Sequence, residues 1–130
     1  MDRRLRLWAL VAACVTTLTF SAVAYALTTD MNDWNLTEST STYGNGTQFH
    51  ISSTGNHNAY FRWLDSPNKT TVISANYCSD WALINSNTHG VGDTTYHWLF
   101  GASEGFCFVM RGRTASGQGS MVNHDGRVDR

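Results

Sequence analysis

The chain has 130 residues, of which 42% are apolar, 12% aromatic and 15% charged, with a formal net charge of −1. That is chain enough for one small domain, too short for a complete TIM barrel or a two-domain enzyme, and too apolar for a wholly disordered polypeptide. The near-zero charge argues against a polyanion-binding tail.

The first element in chain order reads as a targeting segment. Met1–Arg6 carries Arg3, Arg4 and Arg6 against Asp2, and Leu7–Phe20 is mostly apolar and uncharged. Ser21-Ala22-Val23-Ala24-Tyr25-Ala26 then ends in Ala-x-Ala. A basic start, a short apolar middle and a small-residue exit are the parts of a secretory signal peptide, which predicts cleavage after Ala26. A membrane-spanning helix needs about 20 apolar residues, and Thr16, Thr17 and Thr19 interrupt this shorter stretch. Arg3-Arg4 invites a twin-arginine reading, but Arg6 stands where that signal wants an apolar residue. The expected organisation is a signal peptide over 1–26 and a single secreted β domain over 27–130.

Cleavage after Ala26 would remove 26 of the 130 residues and leave 104. It would take Arg3, Arg4, Arg6 and Asp2 with it, moving the formal charge from −1 to −3. Lys69 is the one lysine left. Such a surface offers no electrostatic basis for nucleic acid or an anionic membrane as partner. Cys14 lies in the leader, so Cys78 and Cys107 remain as an even pair in an oxidising, extracellular compartment. One disulfide between them is the expectation. Closing that loop is worth about 3–4 kcal/mol by chain-entropy arithmetic.

From residue 27 the composition turns to Thr, Ser, Asn, Gly and aromatics, which favour strands and tight turns. Period-two alternation marks Trp34–Thr37, Phe49–Ser52, Ala59–Leu64, Thr70–Tyr77, Trp81–Asn85, Thr95–Phe100, Phe106–Arg113 and Gly119–Asn123. Gly and Asn clusters separate them, and Asn45-Gly46 and Asp125-Gly126 are dipeptides that accept the positive φ of hairpin turns. No window sustains a helical apolar period. The fold class is therefore all-β: a small antiparallel sandwich or barrel of about seven or eight strands.

Several strands are apolar on both faces. Tyr96, Trp98 and Phe100 alternate with His97 and Leu99; Phe106, Phe108 and Met110 alternate with Cys107, Val109, Arg111 and Arg113. One interior layer cannot take both sets, so a loop covers the second face or it is a binding surface. Arg111–Ser120 is glycine-rich, and it reads either as an exposed basic recognition loop or as a hairpin whose arginines pair with Asp125, Asp129 or Glu104.

Catalytic patterns are weak. Gly101-Ala102-Ser103-Glu104-Gly105 fits the nucleophile-elbow pattern, but it lies between two strands with no helix after it. His50, His57, His89, His97 and His124 show neither H-x-H nor H-E-x-x-H spacing, and His89…Asp93 and His124-Asp125 read as chance neighbours in turns. No catalytic residue, metal ligand or cofactor is assigned. The leading expectation is a secreted, non-catalytic binding domain for an extracellular protein or polysaccharide, inhibitor-like or adhesive. Trp98, Phe106, Phe108, Arg111 and Arg113 would make the ligand contacts. The alternatives are a small secreted hydrolase using Ser103 or a His/Asp site, and a surface protein that self-associates through its aromatic face.

Overall fold

The computed structural model describes residues 27–53 and 55–130. The expected signal peptide lies outside the described residues. Nine strands follow in order: β1 (Thr28–Leu36), β2 (Ser41–Thr42), β3 (Gln48–His50), β4 (Asn58–Trp63), β5 (Thr71–Tyr77), β6 (Leu83–His89), β7 (His97–Gly101), β8 (Cys107–Thr114) and β9 (Met121–Asp129). Tyr43–Asn45 forms a single 3-10 turn, and no α-helix occurs among the described residues.

All pairings are antiparallel and fall into two sheets. One has the order β1-β9-β4-β7; the other runs β2-β8-β5-β6, with β3 following β2 along the same edge of β8. No strand ladder joins the two sheets into a closed barrel among the described residues.

Alternation decides which side chains meet between the sheets. In β4, Ala59, Phe61 and Trp63 are buried while Asn58, Tyr60 and Arg62 turn outward, as a pleated strand with one covered face requires. Trp34, Phe61 and Trp63 pack with ring centroids 5.1–6.2 Å apart. Phe49, Phe100 and Phe108 make a second aromatic group, with Phe108 4.9 Å from Phe100 and 5.6 Å from Phe49. The buried Trp63 indole N–H donates to Thr71 Oγ1 at 3.0 Å, a polar tie from β4 of one sheet to β5 of the other.

Four expectations are corrected here. There are nine strands among the described residues rather than seven or eight, because the two-residue β2 carries no alternation to read; β1 was seen but begins six residues before Trp34. Asp125-Gly126 is not a hairpin turn but lies inside β9. A Cβ on Gly126 would sit 2.6 Å from Phe61 Cε2, so glycine is there to let the Phe61 ring lie against the backbone. Phe100 does not share the face of Trp98: a register shift between Ala59 and Tyr60 pairs Ala59 with Phe100 and Tyr60 with Trp98, leaving Leu99 as an extra residue. Leu99 and Phe100 are therefore both buried, as a β-bulge allows. Last, Ser103 to Phe106 is a turn that carries the chain from one sheet to the other, rather than the loop of a hairpin.

The disulfide joins Cys78 to Cys107, with their Cα atoms 5.7 Å apart. It clamps the end of the β5–β8 ladder just beyond the Tyr77–Phe108 pair. Cys107 and Val109 point away from the shared core, and Phe108 and Met110 point into it.

Candidate functional site

The outer face of the five-stranded sheet carries a groove of about 270 Å³. Its floor comes from the outward residues of β5 (Val72, Ser74, Asn76), and Leu83 and Ser86 of β6 form one wall. Thr40, the outward residues Arg111 and Arg113 of β8 and Gly112 between them complete the lining. The groove follows from register: Ser74 is opposite both Arg111 and Ser86, and Val72 is opposite Arg113. Same-side residues on three neighbouring strands thus converge.

Polar groups on the floor are wired to one another. The Ser74 hydroxyl donates to Asn76 Oδ1 at 2.7 Å, and the Asn76 amide donates to the Trp81 carbonyl at 2.8 Å. Trp81 holds a left-handed backbone, φ 60°, a conformation that costs a bulky residue about 1–3 kcal/mol. Its N–H donates to the Tyr77 carbonyl at 3.0 Å. These bonds fix a strained residue whose indole remains 43% exposed, with the Arg111 guanidinium 5.5 Å from the ring centroid.

Arg111 Nε donates to Thr42 Oγ1 at 3.2 Å, and Arg113 donates to the Thr114 carbonyl at 3.2 Å. Neither is among the ion pairs of the described residues, which are Arg127–Asp30 and His97–Asp93. The pairing with Asp125, Asp129 or Glu104 does not form. Nor do these arginines sit in a loop: both belong to β8, and only Ala115–Gln118 beyond it makes a turn. The Gly117 N–H at its tip donates to the Glu38 carboxylate.

The residues expected to share one surface fall in four places. Arg111 and Arg113 line the groove. Trp98 is 51% exposed, but on the outer face of the other sheet, its indole N–H donating to Asn58 Oδ1 at 3.0 Å. Phe106 is half-buried against the core between Tyr77 and Phe100. Phe108 has 0% exposure and sits between Phe49 and Phe100, so it has no surface to offer a ligand. Missed by the sequence reading were Trp81, Leu83, Ser74 and Asn76. The signal for Trp81 was the Asn76…Trp81 link across a tight turn, which composition does not reveal.

A second polar cluster occupies the β6–β7 corner. His89, the last residue of β6, is fully buried, its ring edge-on to Phe61 at 5.3 Å and 4.1 Å from the His97 ring. Neither of its ring nitrogens has a hydrogen-bond partner. Burial, then the neighbouring His97, pushes its pKa down to about 4. His97 Nε2 lies 2.7 Å from Asp93 Oδ2. Hydrogen bonds from the Thr95 side chain and backbone, at 2.6 and 2.9 Å to Asp93 Oδ1, are the main reason the Asp93 carboxyl is lowered to about 2. The reading of His89…Asp93 as chance neighbours is corrected: a turn closed by the Asp93 N–H on the Gly90 carbonyl, 3.1 Å, brings them together with His97. Ser103 is exposed, and no hydrogen bond joins its hydroxyl to a histidine among the described residues.

No family model matches this chain, and no curated protein matches it. Among solved structures, the crystal structure of PirA is similar over 78% of this chain and 91% of that one, at 9% identity and a TM-score of 0.42. A likeness that distant carries no argument about fold or function.

Proposed function

We propose that the protein is a secreted, non-catalytic binding domain that holds an acidic extracellular polysaccharide in the groove formed by Ser74, Asn76, Leu83, Arg111 and Arg113. The observation that carries this reading is the pair of guanidinium groups with no carboxylate partner, in a groove otherwise lined mainly by hydroxyls and an amide. Unpaired arginines beside neutral hydrogen-bonding groups suit a carboxylate-bearing sugar chain: the fork geometry accepts the acid, and hydroxyls and amides answer the ring hydroxyls. Trp81 adds an exposed ring face held in place by a strained backbone, and strain of that kind collects at ligand sites. We further propose a sandwich as the architecture, since the two sheets meet at β6 and β7 through side-chain amides rather than through a ladder. Residues 1–26 would be the leader that exports it.

Affinity electrophoresis tests the reading. Polygalacturonate in the gel should retard the protein, and neutral dextran should not. Changing Arg111→Ala together with Arg113→Ala should weaken the retardation at least about tenfold, the size of one charge-assisted hydrogen bond. Retardation that is absent with the acidic polymer, or unchanged in the double variant, overturns it.

A further inference from the structure

We propose that the β6–β7 corner binds one divalent transition-metal ion of the zinc class through His89, Asp93 and His97. One ligand atom from each residue lies within 4.8 Å of the other two. The three arrive at four-residue intervals from a single connection: His89 ends β6, Asp93 closes the turn, and His97 opens β7. A strand spacing of four would set them far apart; the reversal of the chain at Gly90–Asp93 makes them converge. The turn is anchored elsewhere too, since the Gly92 N–H donates to the Pro67 carbonyl at 2.8 Å.

His89 is the independent sign of a ligand. A fully buried imidazole with no partner on either nitrogen has given up its water hydrogen bonds for nothing in return. A cation between it and His97 would accept the orphaned lone pair. The supporting shell is already formed. Thr95 holds Asp93 Oδ1 with two hydrogen bonds, which leaves Oδ2 turned toward His97, the arrangement that orients a ligating carboxylate. Imidazole and carboxylate donors favour zinc, copper or nickel over magnesium and calcium, which take all-oxygen shells. Asp93 and His97 side chains are 24% and 27% exposed, so an ion has a path from solvent. Ligands on a tetrahedral zinc stand about 3.3 Å apart given bonds near 2.0–2.1 Å, so the 2.7 Å His97–Asp93 contact would open slightly on loading.

The test uses the expressed chain stripped with EDTA and titrated with ZnCl2, with CoCl2 as a visible probe and MgCl2 as control. One zinc per chain should bind, the melting temperature should rise, and cobalt should give the d–d bands of a four-coordinate site. Asp93→Asn and His97→Gln should each weaken zinc at least about tenfold, with the near-ultraviolet dichroism unchanged. His89 is too buried to replace safely, so its ring nitrogen resonances in the unaltered protein should move on adding zinc. No stoichiometric uptake, unmoved His89 resonances, or full affinity in the Asp93→Asn/His97→Gln double variant would overturn the proposal; the last outcome would place the ion at exposed histidines such as His50 or His57.

Discussion

The two faces of the five-stranded sheet use the same strands for opposite ends. On the inner face, β8 presents Phe108 and Met110, and β5 presents Ile73 and Ala75, all with 0% exposure. Gly112 has no room for a side chain there, since a Cβ would meet Ile73 Cδ1 at 2.9 Å and the Trp34 ring at 3.0 Å. On the outer face, the same two strands present Arg111, Arg113, Val72 and Ser74 around a groove. Tight packing makes the inner face intolerant of change, whereas outer residues that touch solvent can change identity at little cost in stability. A domain this small can therefore change the residues of its outer face without disturbing what holds it together.

Three measurements would break or sharpen that contrast. The largest effect belongs to Phe108→Ala, expected to cost about 3–5 kcal/mol by emptying the space between Phe49 and Phe100; urea unfolding that finds under 1 kcal/mol would mean the inner face is not close-packed. Next comes pH, acting on the inner face through His89. Its ordinary value is 6.5 and burial holds it near 4 in the folded chain. Above pH 6.5 both folded and unfolded forms are neutral there and stability is flat. Between 6.5 and 4 the unfolded chain takes up a proton that the folded one resists, so stability falls with pH, by at most about 3 kcal/mol. The Asp93 contribution is lost lower, between 3.8 and about 2. Unfolding of the EDTA-treated protein at pH 7.5 and 4.5 checks this; equal stabilities would show that His89 is not held neutral. The smallest effect belongs to Arg113→Ala, within about 0.5 kcal/mol of the unchanged protein. A larger loss would make the groove structural rather than available.

Much of the fold could be read from residue order. Alternation located the centres of β4, β5, β7 and β8, and Asn45-Gly46 does take positive φ, 56° and 98°, though in a turn between β2 and β3, which both pair with β8, and not in a hairpin. The two cysteines paired as expected. What alternation cannot give is the sign of a face: β8 reads equally well with Cys107 and Val109 inside or with Phe108 and Met110 inside. Tertiary context decides, because Phe108 meets Phe49 and Phe100 from elements far away in sequence. A single added residue at Leu99 was enough to bring Phe100 indoors. Gly126 misled for a related reason, since a glycine kept for closeness to an aromatic ring looks in sequence like one kept for a turn. The candidate site was half legible. Arg111 and Arg113 stood out in a chain poor in basic groups, but the groove they line exists only once β5 and β6 lie beside β8.

The corner where β6 meets β7 has a wider consequence. Asn85 and Asn87 place their amides on the Leu99 and Trp98 carbonyls at 2.7 Å. Both strands are the outermost members of their sheets, and bare strand margins invite other chains to add on. The two β6 amides thus occupy carbonyls on the β7 border that would otherwise stand open to an added strand.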